Sequence, residues 1–157
     1  MKTELWLIGK TSFSYLQEGM EIYQKRLKHY LPFKLLIIPD IKNRKSLKEE
    51  QIKQKEGQEI LKKINPDDCL ILMDENGKHY DSVAFSQFIE RHLQHSYKRI
   101  IFQIGGAYGF SDAVYKRANA KISLSKMTFS HQMVRLIFLE QLYRGMTILK
   151  GEPYHHV

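Results

Sequence analysis

The sequence predicts an α/β domain: a mostly parallel sheet flanked by helices. Three observations carry that expectation. The runs "ELWLIG", "KLLIIP", "CLILMD" and "RIIFQI" are nearly all apolar over the length of a strand, as strands covered on both faces must be. Segments with helical spacing separate them, so strand and helix alternate along the chain. The length of 157 residues suits one core of this kind and not two, so residues 1–157 are expected to form a single domain.

Each element has its own signal. After the first strand, "ELWLIG", Leu16, Met20, Tyr23, Leu27 and Tyr30 alternate spacings of four and three, which places them on one buried helical stripe that Pro32 ends. "KLLIIP" is a short buried strand, and the basic loop after it leads into a charged helix from about Ser46 to Ile64. Its apolar face is thin: Leu47, Ile52, Ile60, Leu61 and Ile64. "NPDD" breaks the chain before the strand "CLILMD". "ENGK" is expected to turn it toward a helix from Ser82 to about His95. "RIIFQI" forms the next strand, ended by "GGAYG", and Ser111 or Asp112 caps a following helix. "KISLS" makes a last short strand, and a final helix runs from Ser130 or His131 to about Leu149. Its interval "MVRLIFLEQLY" is too apolar around its circumference for one face to lie in water, so sheet and a second subunit are expected to cover it.

Composition excludes several classes. The apolar fraction of 43% is globular, and the longest apolar runs fall far short of a membrane span. The N-terminus "MKTELWLIGK" carries Glu4 and lacks a signal-like apolar stretch and cleavage site, so a cytoplasmic protein is expected. Cys69, the single cysteine, sits in an apolar run and reads as an inert core residue. The formal charge of +8 is uneven: residues 1 to 66 hold 14 Lys+Arg against 8 Asp+Glu, residues 67 to 157 hold 11 against 9. That imbalance, with "KNRKSLK" (Lys42 to Lys48), favours a basic face over uniform decoration and makes nucleic acid the leading partner; on charge alone a solvated loop is an equal alternative.

Three motifs follow strands and so fall on one sheet edge, where ligands of α/β sheets collect. "IGGAYG" allows close backbone approach at Gly105, Gly106 and Gly109, but its spacing is not that of a dinucleotide fingerprint and no Gly-Lys-Ser/Thr follows. Alone it would be a tight turn. "LMDENGK" puts Asp74 at a strand end, where it reads as a turn former with a useful position. "LSKMTFSH" combines the hydroxyls of Ser125, Thr128 and Ser130 with apolar Leu124, Met127 and Phe129, a mixture suited to a flat heterocycle held by backbone hydrogen bonds. Ser130 also reads as a helix cap. On the final helix, His131 and Arg135 share a face that suits a phosphate or solvent, and Glu140 and Arg144 are spaced for an ion pair. The tail brings Tyr154, His155 and His156 close to the end; metal binding there is weakly supported, because adjacent histidines point apart and no third ligand has usable spacing.

Together, "LMDENGK", "IGGAYG", "LSKMTFSHQMVR" and "EQLYRG…PYHH" resemble the RlmH (YbeA-like) family of SPOUT-class ribosomal RNA methyltransferases, in order and over essentially the whole chain. The resemblance implies a SPOUT-type fold with a C-terminal trefoil knot, S-adenosyl-L-methionine as cofactor, and a homodimer. It also implies methylation of N3 of a pseudouridine in large-subunit ribosomal RNA, free or within an assembled ribosome, with no metal and no membrane. By the same resemblance the cofactor contacts fall on Leu72, Met73, Gly105, Leu124, Ser125, Lys126, Met127, Thr128 and Phe129. Substrate binding falls on His131 and Arg135, and catalysis on Arg144, Tyr154 and His155, with one subunit's tail completing the other's site. The competing reading is a non-catalytic RNA-binding or ribosome-assembly factor that uses only the basic face. A nucleotide-binding oxidoreductase is disfavoured by the glycine spacing.

Overall fold

The computed structural model describes residues 1–156. The chain runs β1 (Lys2–Ile8), α1 (Ser14–Leu27), β2 (Phe33–Ile38), a 3-10 turn (Arg44–Ser46), α2 (Glu49–Leu61), β3 (Asp68–His79), α3 (Ser82–Leu93), β4 (Arg99–Ile104), α4 (Asp112–Arg117), β5 (Ala120–Ser123) and α5 (Met133–Leu149). The five strands form one sheet in the order β2-β1-β4-β3-β5, every pairing parallel. The expected α/β architecture is therefore present.

Strand side chains alternate between the two faces, and this alternation makes two cores. Leu5, Leu7, Ile71 and Phe102 pack with Met20, Leu27, Phe85, Phe138 and Leu142 under α1, α3 and α5. Trp6, Ile8, Leu70, Leu72 and Ile101 face the other way, against Ile60, Phe110 and Val114 of α2, α4 and the loop before α4. Tight helix contacts rest on glycine: a Cβ at Gly19 would meet Leu136 at 3.0 Å, and one at Gly145 would meet Ile89 at 2.8 Å. The two small residues let α1 and α3 close on α5 from either side. Between Gln132 and Leu149 no residue is exposed, so α5 is largely covered within its own chain.

Boundaries differ from expectation where tertiary contacts decide them. The charged helix is shorter than Ser46 to Ile64, because residues 44–46 take a 3-10 turn before the Gln51 side chain, accepting from Lys48 N at 2.9 Å, starts the helix. α5 begins at Met133, although the Ser130 hydroxyl does act as its cap, accepting from Met133 N at 3.1 Å. The largest correction concerns "ENGK". The chain does not turn away there: β3 loops out and returns to the same neighbour, so that Met73 and Lys78 both pair with Ile122. Gly77 makes this possible, since a Cβ there would lie 2.6 Å from Ile122 N and 2.7 Å from Lys121 C. At the opposite end of the sheet Asp68 is buried and gripped by the Arg99 fork at 3.0 and 2.6 Å. Burial alone would raise its carboxyl, but the Arg99 pair and the Asn65 N–H outweigh burial and hold it below the usual range.

Candidate functional site

A cleft of about 620 Å³ opens beyond the carboxyl ends of β3, β4 and β5. That volume lies within the range of small-molecule sites. Three loops build it, and they are the three motifs singled out in the sequence. Met73 to Asn76 form one wall, Gly105 to Phe110 another, and Leu124, Ser125 and Met127 to His131 the third, with Tyr115 and Val134 behind.

Local chemistry sets each loop. Gly105 lies against the Phe110 ring, which an added Cβ would meet at 3.1 Å, and Gly109 takes a positive φ of 83° to bridge back to Gly106. In the third loop the Ser125 hydroxyl accepts from Met127 N at 2.9 Å, while Ser123 donates to Ser125 O at 2.9 Å. These bonds fold the loop on itself and leave Met127 78% exposed at the rim. Asp74 accepts from Asn76 N at 2.8 Å, as a turn former does, and its second oxygen accepts from the Tyr115 hydroxyl. Burial, with that bond to Asp74, pushes the Tyr115 phenol far above its ordinary value, so it remains a donor. Among the described residues the lining includes Asp74 and Glu75 but no Lys or Arg, in a chain of formal charge +8.

The structure sorts the expected site residues. Met73, Gly105, Leu124, Ser125, Met127, Thr128, Phe129 and His131 line the cleft. Leu72 does not: its side chain is fully buried in the opposite core, because strand alternation turns it away from its neighbour Met73. Lys126 is exposed and outside the lining. Arg135, expected to bind substrate, is fully buried. It donates to Ile8 O at 2.7 Å, Gly9 O at 2.9 Å, Thr11 Oγ1 at 3.0 Å and His131 O at 3.2 Å. It ties α5 to the end of β1. The His131 imidazole stays below its ordinary pKa, first through partial burial and then through the nearby Arg135 and Arg44 cations.

Arg144, Tyr154 and His155 meet one another, but away from the cleft. Arg144 donates to Glu140 at 3.1 and 2.6 Å and to His155 Nδ1 at 3.1 Å, and its guanidinium covers the Tyr154 ring at 4.7 Å. Tyr154 donates to Glu140 at 3.0 Å, and Tyr30 holds Glu152 at 2.6 Å, so the tail is anchored to α5 and to the chain after α1. Ten residues separate Val134 in the cleft wall from Arg144, about 15 Å along the helix. Sequence reasoning missed Glu56, which is buried directly behind the glycine loop. A signal existed: position 56 lies four residues from both Ile52 and Ile60, so a carboxylate interrupts the apolar stripe of α2. Among the described residues, no group of three or more His, Cys, Asp or Glu is arranged to hold a metal, and no helix is long and apolar enough to cross a membrane.

A parallel α/β sheet with three loops converging on a strand-end cleft has the architecture of a ligand-binding domain, and the chain belongs to the SPOUT methyltransferase family: the model described as "Predicted SPOUT methyltransferase" matches residues 1–155. The curated relatives are more particular. Ribosomal RNA large subunit methyltransferase H of Parabacteroides distasonis is 57% identical over 156 residues, covering 99% of each chain. The protein of that name from Flavobacterium psychrophilum is 59% identical, again over 99% of each. The one from Cytophaga hutchinsonii is 56% identical, over 99% of this chain and all of its own. Membership in a methyltransferase family implies a methyl donor for the reaction.

Proposed function

We propose that this chain is an S-adenosylmethionine-dependent methyltransferase that methylates N3 of a pseudouridine in large-subunit ribosomal RNA and works as a homodimer. The observation that carries the donor assignment is the sign of the cleft. Asp74 and Glu75 line it with no Lys or Arg among the described lining residues, which suits a cationic sulfonium and opposes nucleotide phosphates. Apolar Met73, Leu124 and Val134 and the close backbone at Gly105 suit a flat heterocycle, and the Ser125 and Thr128 hydroxyls border it. Lys126 and Leu72 enter this reading through their backbone alone.

When bound, S-adenosylmethionine supplies an electrophilic methyl group, so most of the protein's work is alignment. N3 of the acceptor must lose its proton to become nucleophilic. Arg135 is committed to backbone carbonyls, so the substrate end is assigned to Arg144, which is paired with Glu140 and partly exposed. Its guanidinium donates to His155 Nδ1, which leaves Nε2–H of that ring as a donor. Arg144 and His155 together stabilise negative charge on the ring oxygens as the proton passes to water, and Tyr154 holds Arg144 in place. The 15 Å span within one chain supports a reading in which a partner's tail completes each cleft. Exposed Phe13, Tyr15 and Ile22, at and beyond the start of α1, supply apolar surface for that contact. The exposed Lys42, Lys45 and Lys48 follow β2 at the same sheet edge and suit RNA phosphates.

The relatives' names support the substrate class. Calorimetry with S-adenosylmethionine and S-adenosylhomocysteine tests the donor: heat is expected, and its absence would leave an RNA-binding factor. Labelled donor incubated with ribosomes or free ribosomal RNA then tests the chemistry. Unchanged turnover in both Arg144→Ala and His155→Ala would remove their roles.

A further inference from the structure

Glu56 lies between Ile52 and Ile60 on the buried face of α2 and is only 3% exposed. Its Oε2 has no hydrogen-bond partner among the described residues. The Arg44 guanidinium stands 3.7 Å from that oxygen and 3.5 Å from Asp40 Oδ1. The same guanidinium lies over the Tyr108 ring at 5.7 Å. On the other side, a Cβ added at Gly106 would fall 2.7 Å from Glu56 Oε2 and 2.9 Å from Oε1. Two residues of the cleft loop, Gly106 at its base and Tyr108 near its tip, thus rest on the Arg44–Glu56 pair.

A carboxylate with an unfilled acceptor is a poor way to fill a helix stripe. Burial, reinforced by Asp40 and opposed by Arg44, pushes its carboxyl up to about 6. A side chain that opposes folding yet abuts a ligand loop marks a trade of stability for function. We propose that Glu56 is a positioning residue for methyl transfer, setting the Gly105–Gly109 loop from behind, directly through Gly106 and indirectly through Arg44 and Tyr108. The loop wall against which the donor is held then depends on a charge outside the cleft. This rests on reading the cleft as the donor site. An isosteric amide keeps the contact with Gly106 but releases Arg44, and with it Tyr108.

The test is calorimetry of S-adenosylhomocysteine binding to the full chain, beside thermal melting at pH 7.5. Wild type is expected to bind, and Glu56→Gln to bind about tenfold more weakly while melting no lower. Gly106→Ala is expected to weaken binding in the wild-type background and to do so less in Glu56→Ala, where the added methyl has room. Equal affinity in wild type and Glu56→Gln would overturn the proposal. So would a loss of affinity accompanied by a matching loss of melting temperature, the mark of a merely structural residue. Absence of heat with wild type would instead overturn the donor reading itself, and the proposal with it.

Discussion

Arg135 shows how one side chain changes meaning once its surroundings are known. Spaced four residues from His131, it has the look of a phosphate contact; folded, its guanidinium satisfies the carbonyls of Ile8 and Gly9. Arg135→Met should therefore destabilise the protein by about 3 kcal/mol in urea titrations, because it strands buried acceptors. A substrate contact would instead leave stability unchanged and weaken RNA binding alone. Glu56 behaves in the opposite sense. Its folded carboxyl sits at about 6 against an ordinary 4.5, so across that interval the folded protein holds a proton that the unfolded chain has released. Stability then falls as pH rises through the interval, by about 2 kcal/mol once the group is fully charged. Glu56→Gln removes that loss. Its melting temperature relative to wild type should rise between pH 4.5 and 7.5, and a flat difference would show that Glu56 is not desolvated as its burial implies.

Among the elements, the pairing of β3 with β5 matters most to the cleft. The two strands meet on both sides of a loop whose residues Asp74 to Asn76 form a wall, and Gly77 passes against the backbone of Ile122. Gly77→Ala should cost about 1–3 kcal/mol, because neither strand can retreat without breaking the ladder, and it should reduce donor affinity as well. Circular dichroism melts and calorimetry on the same preparation check both. Wild-type affinity in a destabilised Gly77→Ala protein would separate the strand crossing from the site. The apolar runs of β1, β3 and β4 and the stripe of α1 were legible because strand and helix periods are local. "ENGK" was not: the same Asn-Gly signal serves a tight turn or a bulge, and the neighbouring strand decides which. The Leu72 side chain faces away from the cleft for a related reason. A motif marks a stretch of chain, whereas alternation sends adjacent side chains to opposite faces.

At the scale of the whole molecule, the proposed homodimer assigns each chain half of two sites. The cleft sits at one end of α5 and the Arg144, Tyr154 and His155 cluster at the other. A variant with a blocked cleft, such as Gly105→Trp, and an Arg144→Ala variant should each be inactive alone. Mixed and allowed to exchange subunits, they should recover roughly a quarter of wild-type turnover, since half the dimers are mixed and each mixed dimer has one complete site. Absence of recovery despite proven exchange would place both halves within one chain. The mixed-subunit experiment reports the composite site by activity, independently of how the donor loop is held.

The sequence by itself determined the α/β class, the alternation of elements, the glycine and serine loops of the cleft and the basic bias of the first half, since each depends on neighbours a few residues apart. Only the tertiary structure decided that Arg135 is a buried tie, that β3 returns to β5, that the cleft is acidic within a basic chain, and that Glu56 stands behind Gly106. Those outcomes turn on which distant backbones come into contact and on how much water each charge loses there, and neither quantity is written in local spacing.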